Sequence, residues 1–107
     1  MAIHQVAVGD LDRILSEGCV LIDVREIDEY IAGHIPKAVN IPLSTIRDNI
    51  EKFRDDGEVF IVCQSGNRSM RACEFLGDCG IHNVANIAGG TSAWVAIGGY
   101  LIQGDQP

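Results

Sequence analysis

The sequence predicts a single α/β domain built around a mainly parallel sheet. Two short, nearly continuous apolar runs, Val20-Leu21-Ile22-Asp23-Val24 and Val59-Phe60-Ile61-Val62-Cys63, have the composition of strands buried on both faces. Helical apolar periods lie between and beyond these runs. Strand–helix alternation repeated four or five times points to helices packed on a parallel sheet. The chain of 107 residues suits one domain, and its 47% apolar content can supply a core that folds without disulfides or metal.

In chain order, Ile3 to Val6 is a weaker strand candidate. A helix carrying Leu11, Ile14 and Leu15 follows, with Asp10 as its N-cap. After the 20–24 strand, a short helix is expected over Asp28 to Ala32, then a strand over Ala38 to Ile41. Ser44 is read as the cap of a helix bearing Ile46, Ile50 and Phe53. Beyond the 59–63 strand, Ala72, Phe75, Leu76 and Cys79 fall at i, i+3, i+4 and i+7 and form one apolar stripe. Val84 to Ile87 is the last strand candidate. Gly89-Gly90 turns it into a helix over Ser92 to Ile97, where Trp94 packs that helix on the sheet. The single domain spans 1–107, with its core over about 4–102 and a tail, 103–107, expected to be mobile.

The net charge is −7, and Lys37 and Lys52 are the only lysines. No stretch concentrates Lys or Arg, which argues against a nucleic-acid or anionic-membrane binder. No apolar run approaches the ~20 residues that cross a bilayer. Met1-Ala2-Ile3-His4-Gln5 lacks the pattern of a secretory signal, so a cytoplasmic location is expected. Cysteines at 19, 63, 73 and 79 form no Cys-x-x-Cys pair, and His4, His34 and His82 are scattered. Metal-ligand spacing is absent, no cofactor is expected, and one reactive thiol in a reduced compartment fits better than a disulfide framework.

The chemistry concentrates in Cys63-Gln64-Ser65-Gly66-Asn67-Arg68-Ser69. This stretch reads as the end of a buried strand, a tight polar loop and the start of a helix. Ligands of open parallel sheets bind at the carboxyl ends of strands, where Cys63 stands. Loop amides and the following helix N-terminus converge on its sulfur, favouring the thiolate and a competent nucleophile. Gly66 permits a positive φ, Arg68 adds a permanent cation, and Ser69 can donate to the sulfur or cap the helix. Asp23 and Arg25, ending the earlier strand, should lie beside the loop as its support. Cys73 or Cys79 as a resolving thiol is disfavoured by distance along the helix.

Over residues 4 to 102 the chain resembles the rhodanese family. Four segments carry the resemblance: Leu21-Ile22-Asp23-Val24-Arg25-Glu26 with Glu29-Tyr30; Gly33-His34-Ile35-Pro36-Lys37-Ala38-Val39-Asn40-Ile41-Pro42; the Cys63 to Ser69 loop; and Gly89-Gly90 before Trp94. The resemblance implies a three-layer fold with a five-stranded, mainly parallel sheet flanked by helices. It also implies a ping-pong sulfurtransferase in which Cys63 takes sulfane sulfur from a small-molecule or protein donor as a persulfide. A thiol or cyanide acceptor then removes it.

Four residues separate Cys63 from Arg68, whereas the phosphatases and arsenate reductases similar to this family use five, so the smaller ring suits one sulfur atom. A non-catalytic, regulatory module is the alternative. Glu29 and Ser65 stand where the large two-domain thiosulfate enzymes carry cations, which argues against thiosulfate as the physiological donor. Glu29 and His34 are candidates for the pocket rim, although a turn histidine bonded to backbone is the favoured reading of His34. Lys37 stands where glycine is frequent in the family, so strain is expected there if its φ is positive.

Overall fold

The computed structural model describes residues 2–107. Five strands form one sheet: β1 (His4–Ala7), β2 (Val20–Asp23), β3 (Val39–Asn40), β4 (Val59–Val62) and β5 (Val84–Ala88). Their spatial order is β1-β5-β4-β2-β3, and every neighbouring pair is parallel. β4 therefore occupies the centre, and all four of its residues are buried. The pleat divides its side chains with a period of two. Phe60 and Val62 enter a core with Leu11, Leu15, Tyr30 and Trp94, whereas Val59, Ile61 and Cys63 enter one with Phe53, Ala72, Cys73 and Leu76. Helices α1 (Leu11–Ser16), α2 (Ile27–Ala32) and α4 (Gly90–Ala96) supply the first layer. The second holds α3 (Asn67–Asp78) and two 3₁₀ turns, Leu43–Asp48 and Ile50–Phe53.

Several expectations need correction. Ser44 caps no helix; its hydroxyl donates to Glu26 Oε1, and the segment forms the two 3₁₀ turns. Asn49 divides them: its φ of −128° is not helical, and its amide reaches back to Thr45 O. Ile46 and Phe53 still reach the core, so the apolar spacing was sound while the backbone state was not. Asp10 precedes α1 but caps nothing with its side chain. The buried face of α3 is Ser69, Ala72, Cys73 and Leu76, one position round from the expected stripe, and Cys79 is only half-buried.

The tail, 103–107, makes two contacts with the body of the domain. Gly104 N donates to Ile31 O at 2.9 Å, and His34 Nε2 lies 2.8 Å from Gln106 O, so α2 and its following turn hold the tail down.

Lys37 does adopt a positive φ, 74°. That conformation costs a non-glycine residue about 1–2 kcal/mol, more than the roughly 0.5–1 kcal/mol that glycine loses through its freer unfolded chain. Lys37→Gly is expected to raise stability by about 0.5–1 kcal/mol. The check is a higher urea midpoint at unchanged slope.

Candidate active site

Three strand ends converge on the loop that follows β4. Cys63 directly follows β4 on the α3 side of the sheet, and Gln64, Ser65 and Gly66 turn the chain into α3. Gly66 takes φ 100°, a left-handed value that glycine adopts without the cost a Cβ would incur. The carbonyls of this turn point away from the sulfur. Thr91 N and Oγ1 donate to Cys63 O at 2.9 and 3.0 Å, and Ser92 N donates to Gln64 O at 3.0 Å. Peptide planes whose oxygens face α4 present their N–H groups inward. The approach leaves no room for a side chain at Gly90, whose Cβ would meet Cys63 O at 2.5 Å and Gln64 O at 2.7 Å.

The sulfur itself is wholly buried. Gly66 N–H lies 3.1 Å from Cys63 Sγ, and Ser69 Oγ lies 3.3 Å from it. Burial opposes ionisation most strongly. The Ser69 hydroxyl and the amides of Ser69, Gly66 and Ser65 together outweigh it and hold the thiol below its ordinary range. Cys73, also buried, has no such donors; burial and the neighbouring Glu74 push it up to about 12, which leaves an inert thiol.

Support comes from β2. Arg25 and Asp23 are both buried, and Asp23 receives the Arg25 backbone N–H at 2.9 Å together with Nε and Nη2 of its guanidinium. Arg25 also donates to Gly33 O at 2.7 Å and to Gln64 Oε1 at 3.1 Å. Asp23 thus reaches the loop through Arg25, and Gln64 passes the connection to Ser92 Oγ.

Arg68 is paired with α2. Its guanidinium forms two hydrogen bonds with Glu29, at 2.6 and 2.8 Å, and does not bond the sulfur. Planar pairing of two flat ions explains the preference. The Arg68 bonds hold the Glu29 carboxyl at about 2, against the opposing pull of burial and with help from the Glu26 N–H. Ser65 and Asn67 are exposed. His34 lies elsewhere: fully buried and stacked on Tyr30, it bonds Tyr30 O and Gln106 O, which is the turn-histidine alternative and not a rim position.

The Rhodanese-like domain family profile matches residues 7–97. The chain belongs to the rhodanese-like domain family. Among relatives of this rhodanese-like domain, the Bacillus subtilis (strain 168) protein YtwF is 42% identical, over 88% of this chain and 92% of that one. A protein of Allochromatium vinosum named sulfurtransferase is 36% identical over 78% of each chain. The crystal structure of a rhodanese-related protein from Thermoplasma volcanium superposes with a TM-score of 0.85 at 31% identity, covering 94% of this chain and 99% of that one. The function of this rhodanese-like domain is accordingly of the sulfurtransferase type. Among the described residues, no helix is long and apolar enough to cross a membrane, and no group of three or more His, Cys, Asp or Glu is placed to hold a metal ion.

Sequence reasoning missed Asn86, Thr91 and Ser92, and saw Gly90 only as a turn residue. Asn86 had a legible signal, a lone amide inside the apolar run Val84-Ala85-Asn86-Ile87-Ala88. Thr91 and Ser92 had none, because they act chiefly through backbone N–H groups that any residue but proline supplies.

Proposed function

We propose that this chain moves sulfane sulfur through a persulfide on Cys63 by a ping-pong route. One observation carries the reading: a buried cysteine sulfur held by the Gly66 N–H and the Ser69 hydroxyl, in a ring of donors with four residues between Cys63 and Arg68. The Cys63 thiolate attacks the sulfane sulfur of the donor, a new S–S bond forms, and the donor's S–S bond breaks with its electron pair leaving on sulfite or a thiolate. The acceptor, a thiol or cyanide, then attacks the terminal sulfur and returns the electron pair to Cys63. The loop donors stabilise negative charge on sulfur at both steps. Donor and acceptor are small molecules or proteins bearing these groups, and the setting is a reducing, cytoplasmic one.

The test is intact-protein mass spectrometry after incubation with thiosulfate or glutathione persulfide. A species about 32 Da heavier, mapped to Cys63 and discharged by an added thiol, is expected. Failure of both donors to give it would overturn the reading.

The arginines bear on donor choice. Arg68 is committed to Glu29, and Arg25 to Asp23, Gly33 and Gln64. An anionic donor therefore meets cations already neutralised. Glu29→Gln is expected to raise kcat/KM for thiosulfate about fivefold, since a charge released at a partly exposed site is worth about 1 kcal/mol. A persulfide with an uncharged carrier group should change less, and equal gains for both donors would contradict this explanation.

A further inference from the structure

The hydroxyl of Ser69 has one proton and two acceptors. Cys63 Sγ lies at 3.3 Å, and Asn86 Oδ1 lies closer on the other side. Asn86 is buried in β5, two positions before the Ala88–Gly89 corner. Its amide nitrogen donates to Gln5 Oε1 at 2.9 Å and to Gly66 O at 3.3 Å. Every polar atom of this cluster is satisfied only while the Ser69 proton points at Asn86.

An ionised sulfur changes that balance. The thiolate is an acceptor only, so it draws the hydroxyl proton toward itself and leaves Asn86 Oδ1 without a donor. A half-turn of the Asn86 amide resolves the conflict. Nδ2 then donates to Ser69 Oγ, and Oδ1 faces Gln5, whose exposed side chain turns its own nitrogen inward. Gly66 O keeps a donor in the backbone N–H of Met70, at 3.2 Å.

We propose that Asn86 is a positioning residue that holds the Ser69 proton in reserve and yields it whenever negative charge returns to Cys63 Sγ. The proposal rests on the reading of Cys63 as a sulfur carrier. In the loaded state the charge sits on the terminal sulfur, and the Ser69 hydroxyl returns to Asn86. When the acceptor takes that sulfur, Cys63 leaves as a thiolate and the hydroxyl swings back to it. The charged groups near the sulfur are already paired off, Arg68 of α3 with Glu29 of α2, and Arg25 with Asp23 after β2. The neutral Ser69–Asn86–Gln5 chain is the adjustable part.

The experiment is a pH titration of thiolate ultraviolet absorbance, taken as the difference from Cys63→Ser. Asn86→Leu removes the competing acceptor and with it the need for the half-turn. The cost of that half-turn in the Nδ2 contacts to Gln5 and Gly66 outweighs the bond it gives Ser69 Oγ, so the midpoint falls by about half a unit or more. Ser69→Ala raises it, and adding Asn86→Leu to Ser69→Ala produces no further change. A merely structural role predicts the reverse, because a loosened loop loses donors and raises the midpoint in both backgrounds. A rise, no shift, or an equal fall without Ser69 would overturn the proposal.

Should Asn86→Leu fail to fold, NMR of the otherwise unaltered protein decides. The Asn86 side-chain amide signals must follow the Cys63 titration, and must not do so in Ser69→Ala. No sulfur donor enters either measurement, so their outcome is separable from whether Cys63 carries sulfur.

Discussion

Cys63→Ser is expected to lower sulfur transfer by at least about a thousandfold while leaving the fold in place. Serine has the right size for the site, and its hydroxyl can accept the same Gly66 N–H that now reaches Sγ at 3.1 Å. The buried position therefore keeps a hydrogen-bond partner, and the stability change should stay within about 1 kcal/mol. What disappears is the thiolate, since a serine hydroxyl does not ionise near neutrality and cannot hold sulfane sulfur. Steady-state rates with any competent donor, read beside a urea unfolding curve, separate the two effects. Retained transfer in a folded Cys63→Ser protein would mean that the reacting sulfur lies elsewhere.

The second large effect concerns folding. Asp23→Ala is expected to destabilise the protein by about 3–5 kcal/mol. Arg25 is 3% exposed, and removing the carboxylate strands its guanidinium in the interior. The contacts with Gly33 O and Gln64 Oε1 remain but supply no opposite charge. Domains of this kind are stable by roughly 5–15 kcal/mol, so such a loss consumes much of the margin. Removing both ions, as in Asp23→Ala with Arg25→Met, should cost less than removing Asp23 alone. Urea midpoints of the single and double variants test this, and a loss below about 1 kcal/mol for Asp23→Ala would contradict the buried-pair argument.

How far the sequence alone could lead depended on which physical signal each part carried. Burial of β2 and β4 was visible because a central parallel strand must be apolar on both faces, and both runs show it. The Cys63 loop was visible because cysteine, glycine and serine each enter it for their own chemistry. The loop's outward carbonyls were not, because Thr91 and Ser92 hold them through the main chain. The partner of Arg68 was equally hidden. Glu29 lies 39 positions away, and only the folded topology brings the Glu29 and Arg68 side chains together, from helices on opposite faces of the sheet. The 3₁₀ turns escaped for a different reason: Ile46, Ile50 and Phe53 satisfy helical spacing, but the apolar pattern carries no information about the break at Asn49.

The placement of β4 in the middle of the sheet has a consequence for how the protein tolerates fluctuation. Strands at the margins, β1 and the two-residue β3, are the ones whose pairing can fray most cheaply, and either could open transiently without disturbing the centre. The reacting thiol hangs from the lane that should melt last, clasped between neighbours that also melt late. Its reactivity should therefore persist until the whole molecule unfolds cooperatively, with no earlier stage in which a half-open protein exposes a loosened, oxidation-prone sulfur.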